Sequence, residues 1–291
     1  MQTRPRLSLA AGLALALSAC GGGAPKPAAP AGAPAGGMPD LTAQLQAAVR
    51  GPQPGDAVVT YAVFADGAPD KGTDQKLAAA VEAAFRAPTA DLAAPAGRAG
   101  PMASQLTLSV APVDAELPLN VPVLVEEAGP LGPLLARAGQ VAFVRYAGKP
   151  MAEHTQISGA GVAAVAAARL LGGGVIVDLS TFEAQTPEAF AAGLASVPDL
   201  KSQVRIAATE EAPGAVTLRS RGLARFGKPD LELAGVPAAE VQAAGARFMQ
   251  VMQAVWEAPQ AAPGATVGGF ALQPCASPPE SWDHECVSFP R

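Results

Sequence analysis

Aromatic side chains are scarce in this 291-residue chain: nine Phe, two Trp and two Tyr make up 4% of it, although 49% of its residues are hydrophobic. The core therefore has to be built mainly from small aliphatic side chains. Histidine is rarer still, with His154 and His284 alone, which leaves few routes to a metal centre or a histidine-centred acid–base pair. Basic residues are also too few to suit a nucleic-acid partner. Lys and Arg number 20 against 25 Asp and Glu, for a net charge of −5, and phosphate recognition needs clustered cations that displace counterions. Neither a G-x-S-x-G elbow nor an H-E-x-x-H pair occurs, so the common serine-hydrolase and zinc-protease signatures are missing. Glycine and proline are plentiful, with 31 and 29 copies, and much of both falls between the segments that carry a periodic apolar pattern.

The amino terminus is the most specific stretch. Arg4 and Arg6 precede an apolar run from Leu7 to Leu17, and Leu17-Ser18-Ala19-Cys20 follows. A positive region, an apolar core of this length and small residues before a cleavage point are the parts of a secretory signal. The run to Ala19 is shorter than the ~20 residues that cross a bilayer as a helix. Ending on a cysteine, the stretch resembles the lipobox of bacterial lipoproteins. That resemblance implies a signal peptide over 1–19, a diacylglycerol thioether on Cys20 and an acylated, palmitate-labelled amino terminus. The expected location is the cell envelope, lipid-anchored, on the periplasmic or surface face. Gly21-Gly22 lacks the acidic residue associated with inner-membrane retention, which favours the outer membrane. Residues 20–37 are almost wholly Gly, Ala and Pro, too poor in large apolar groups to fold, and are expected to form a tether.

From residue 38 to 258 the pattern alternates between strand and helix. Leu41, Leu45, Ala48 and Val49 fall on one helical face. Val58 to Phe64 is β-branched and aromatic, Leu77, Val81, Ala84 and Phe85 mark a helix over Thr73 to Arg86, and Leu106 to Val110 alternates as a strand. Val121 to Val125 is expected to be a further strand and Val141 to Tyr146 a central one. Ser158 to Leu171 is expected as a small-faced helix ended by Gly172-Gly173-Gly174, with a strand at Val175 to Leu179, together a βαβ-like unit. Thr186-Pro187-Glu188 opens a helix to Leu194, Pro213-Gly214 turns a hairpin, and Val241, Ala244, Phe248, Val251, Met252 and Val255 form a helical stripe. This points to an α+β fold with a mixed, largely antiparallel sheet and helices packed on it. One globular domain is the simplest reading; two lobes meeting near Gly129 to Gly139 are the alternative. Residues 259–291 are expected as a Pro-rich tail. Gly222 to Leu233 resembles a segment of uncharacterised bacterial domains of unknown function, which implies no activity. Its Phe226, Leu231 and Leu233 are expected to pack inward.

Few residues carry chemistry. Gly159-Ala160-Gly161-Val162-Ala163-Ala164 fits G-x-G-x-x-A, but about a dozen residues separate it from the preceding strand, whereas a dinucleotide fingerprint leaves its strand directly. The glycines are expected to let a helix lie close on a sheet, and no cofactor is expected. Glu153, His154 and Asp178 are the residues around which an extracytoplasmic hydrolase would be built; the simpler expectation for His154 is a solvated loop. Asp283-His284-Glu285-Cys286 with Cys275 is the densest set of metal-ligand types. With Cys20 lipidated, however, Cys275 and Cys286 remain as a pair in an oxidising compartment and are expected to form a disulfide, free thiols or a metal site being the rival reading. The functional expectation is a non-catalytic envelope lipoprotein that binds a protein, peptide or glycan. The hydrolase is the alternative, and the two differ in whether the polar residues converge on one pocket or an apolar face or sheet edge lies open.

Overall fold

The run Ala57–Ala65 is buried at every position but Thr60, which is why it reads as a continuous apolar stretch rather than an alternating one. In the computed structural model it is strand β1, the centre of a five-stranded sheet. Residues 53–100, 102–114, 117, 119–275 and 286–290 are described and belong to one unit. Cys20, the tether and the expected helix near Leu41 lie outside them. The first sheet has the order β2-β3-β1-β4-β5, with β2 Thr107–Pro112, β3 Gln140–Gly148, β4 Val175–Asp178 and β5 Glu183–Gln185, and all its neighbours are antiparallel. A second sheet has the order β11-β12-β8-β7-β6: β6 Arg205–Ala212, β7 Ala215–Arg221, β8 Asp230–Pro237, β11 Gln273–Pro274 and β12 Cys286–Ser288. Thr266–Val267 and Phe270–Ala271, β9 and β10, form a small hairpin. The fold is α+β.

The helices are α1 Thr73–Arg86, α2 Ala93–Ala99, α3 Val121–Glu127, α4 Gly132–Ala136, α5 Thr155–Leu170, α6 Pro187–Gly193, α7 Leu200–Gln203 and α8 Val241–Glu257. The main core joins Val59, Tyr61 and Val63 of β1 to α1, α5, α8 and the second sheet. A smaller core, with Ala62, Phe64, Leu124 and Leu135, fills the other face of the first sheet under α3 and α4. Helix α5 is buried at every residue from Gln156 to Ala168, as expected of a helix apolar all round. Its glycines serve neighbours other than the sheet. A Cβ on Gly159 would lie 2.4 Å from Met102 Sδ, and one on Gly161 2.5 Å from Leu194 Cδ2. The βαβ-like unit is split, because β3 and β4 both run antiparallel to β1, which lies between them.

Two expectations need correction. Val121–Glu127 is a helix, not a strand: the Asn120 side chain accepts from Val123 N at 3.3 Å and Pro122 sits in the first turn. This start signal outweighs the β-branched valines. The segment 259–291 is also more than a tail. It supplies β9 to β12, and Leu272, Val287 and Phe289 are buried in the main core. Strand β12 pairs in parallel with β8, an open edge that a sequence pattern does not display.

Cys275 and Cys286 are joined by a disulfide with their Cα atoms 5.6 Å apart, and Cys275 N donates to Cys286 O at 3.4 Å. Closing so short a loop restricts the unfolded chain by about 3 kcal/mol. Reduction should therefore lower the denaturant midpoint, while thiol labelling of the denatured, non-reduced protein should modify neither residue. Full labelling of both would exclude the bond.

Candidate functional site

Glycines bracket the turn Leu223–Phe226: Gly222 and Gly227 both have positive φ, and a Cβ on Gly227 would lie 2.6 Å from Gly55 O. This tight turn drives Arg225 into the interior, where it is 2% exposed. Its guanidinium pairs with Asp178 at the end of β4, and Nη1 donates to Gln203 Oε1 at 2.5 Å. The Arg225 carbonyl accepts from Gln156 Nε2 of α5 at 2.8 Å. Asp178 also accepts from Ser180 N and Thr181 Oγ1, each at 2.9 Å. Nearby, Asp230 Oδ1 accepts from Ser220 Oγ at 2.6 Å and Leu223 N at 3.2 Å. Burial lowers the Arg225 pKa, and its attraction to Tyr61 and Asp230 opposes that shift. Burial in the same region raises the Tyr61 phenol. Asp178 is thus held as a counter-ion inside the fold.

Residue 154 is placed quite differently. Glu153 and His154 are consecutive non-glycine residues with positive φ, 53° and 55°, a conformation that costs about 1–3 kcal/mol per residue and persists where the surroundings hold it. Here an aromatic niche holds it. The His154 ring packs edge-on to Phe226 at 4.7 Å and against Trp256 of α8 at 5.3 Å, and Phe226 and Trp256 touch at 4.2 Å. His154 is therefore half-buried rather than solvated. Its Nδ1 is enclosed without a hydrogen-bond partner, while Glu153 is exposed. Burial, and next Lys228, lower the His154 pKa. No hydrogen bond or ion pair among the described residues joins Asp178 to Glu153 or His154.

A cleft of 660 Å3 among the described residues is lined by Asp91, Ala168, Arg169, Pro187, Glu188 and Ala191, among others. Its guanidinium is already occupied, Arg169 donating to Thr89 Oγ1 at 2.6 Å and Asp91 Oδ2 at 2.5 Å. Glu153, His154 and Asp178 are not part of its lining. Among the described residues no group of three or more His, Cys, Asp or Glu side chains is placed to hold a metal ion; Asp283, His284 and Glu285 lie outside them.

A sheet edge is also open among the described residues. Strand β6 is the outer strand of the second sheet and is exposed at every position but Ala207. The outer strand β2 of the first sheet differs, since Asp74 of α1 accepts from Val110 N at 2.8 Å. A register shift at Glu210/Ala212 ends the regular part of β6.

Phe226, Leu231 and Leu233 do pack inward, but no motif marks Arg225, Asp178 and Gln203 as a cluster. The sole local signal was a charge at Arg225 set among apolar residues between two glycines. Compared with protein-family models, curated proteins and solved structures, the chain matches none.

Proposed function

We propose that this chain is a lipid-anchored protein of the bacterial cell envelope, outer membrane favoured, whose folded unit binds an extended segment of a partner protein or peptide rather than catalysing a reaction. The observation that carries the binding reading is the edge of β6, with solvent on both faces and no side chain capping its backbone among the described residues. Such an edge is a template for an added strand. The bulge and Glu210 and Glu211 at its far end limit the usable length to about Arg205 to Glu210. Glu153, His154 and Asp178 share no hydrogen bond or ion pair among the described residues and do not line the cleft, which gives the hydrolase reading no geometric support. A disulfide suits a compartment outside the cytoplasm, and among the described residues no helix is long and apolar enough to cross a membrane. The Arg4 to Cys20 pattern supports attachment through lipid instead.

Two measurements test this. Metabolic palmitate should label the protein and not Cys20→Ser, and equal labelling of both would remove the anchor. A photoreactive residue at Ala208 should trap a partner in intact cells, whereas one at the exposed Ala79 of α1 should not. Equal trapping at both positions, or none at Ala208, would overturn the edge-strand reading.

A further inference from the structure

We propose that His154 is a proton-responsive latch: uptake of one proton by its imidazole loosens the joint at which the start of α5, the Leu223–Lys228 turn and the end of α8 meet. Three observations carry this. First, the ring seals that joint, touching Phe226 from the turn and Trp256 from α8. Second, its enclosed Nδ1 faces no acceptor, so a protonated ring would bury an N–H with nothing to receive it, which is costly. Third, the cation that ties the end of α8 acts on the same ring. Lys228 Nζ donates to Ala258 O and, at 3.4 Å, to Pro259 O, and its charge opposes a second positive charge on His154.

The remaining charged groups near the joint do not offset this. Arg225, beside Phe226, is turned to Asp178. Glu257, beside Trp256, accepts from Gln253 Nε2 at 2.6 Å. Glu153, the chain neighbour of His154, is exposed and makes no ion pair among the described residues. The backbone at Glu153 and His154 is already in the left-handed region, so once the ring leaves its niche little holds the turn in place.

The sign follows from the lowered pKa. His154 contributes its full stabilisation above its ordinary value of about 6.5. That contribution is lost as pH falls through the lower folded value. The joint is closed at neutral pH and opens in mild acid.

The experiment uses the full chain with Trp282→Phe and His284→Asn, which leave Trp256 and His154 as its sole tryptophan and histidine. Imidazole proton resonances, the Trp256 emission maximum and amide exchange in the last turn of α8 are followed from about pH 8 to about pH 5. The expected result is one titration with a midpoint below about 6.5, matched by a red shift of Trp256 and a rise of at least about tenfold in exchange near Ala258. His154→Phe, which keeps an aromatic ring, should abolish both changes. A flat emission and exchange profile while the imidazole titrates would overturn the proposal, as would the same transition in His154→Phe. Should that variant fail to fold, the agreement or disagreement of the midpoints in the parent chain decides alone.

Discussion

Arg225→Ala should destabilise the folded unit by about 3–5 kcal/mol, because it strips the counter-ion from a buried carboxylate. Asp178 would keep its bonds from Ser180 N and Thr181 Oγ1 but lose its cation, Asp230 would lose a neighbouring positive charge, and Gln203 would lose its donor. A typical domain has only about 5–15 kcal/mol to lose, so the variant should unfold at a markedly lower urea concentration with an unchanged slope. The double variant Arg225→Met/Asp178→Asn, which removes both charges, should be more stable than the sum of its single changes allows. A loss below about 1 kcal/mol for Arg225→Ala would show that the pair is not the tie it is taken to be.

The second large effect is expected at the end of α5, where three consecutive glycines have positive φ but unequal surroundings. A Cβ on Gly174 would lie 1.9 Å from Phe64 O and 3.0 Å from Phe64 C of β1, whereas one on Gly173 meets nothing within 4 Å. Gly173→Ala should therefore cost only the conformational penalty of about 1–3 kcal/mol. Gly174→Ala carries that penalty and must also push the start of β4 off β1, where Phe64 pairs with Val175; a total above about 3 kcal/mol is expected. Thermal unfolding of the two variants side by side makes the comparison, and equal losses would remove the clash as the cause.

What could be read before folding is local, and what could not is distant. The helix over Thr73–Arg86, the Thr186 cap donated to by Ala189 N at 3.3 Å, the turn at Pro213-Gly214 and the α8 stripe each declare themselves within a few residues. Val121–Glu127 misled because strand-favouring side chains and a helix-start signal overlap there, and the signal in the backbone won. The order of the strands was beyond reach, and so was the role of the C-terminal residues, whose value lies in an edge of β8 formed elsewhere. The same distance hid the interior ion pair, since nothing near Asp178 in sequence announces Arg225. His154 was visible as a candidate, but its aromatic surroundings come from two other elements.

The place of β12 also sets the timing of folding. It follows every other strand among the described residues, yet it lies inside the second sheet between β11 and β8. Until residues 286–288 arrive, the edge of β8 at Asp230–Glu232 has no partner, and the core lacks Val287 and Phe289. A chain still being made thus cannot finish this sheet before residues 286–288 exist, however much of the first has formed. Closing the second sheet therefore waits on a pairing between residues far apart in the chain, Cys286 with Asp230, which is slower to form than the local hairpin of β6 and β7.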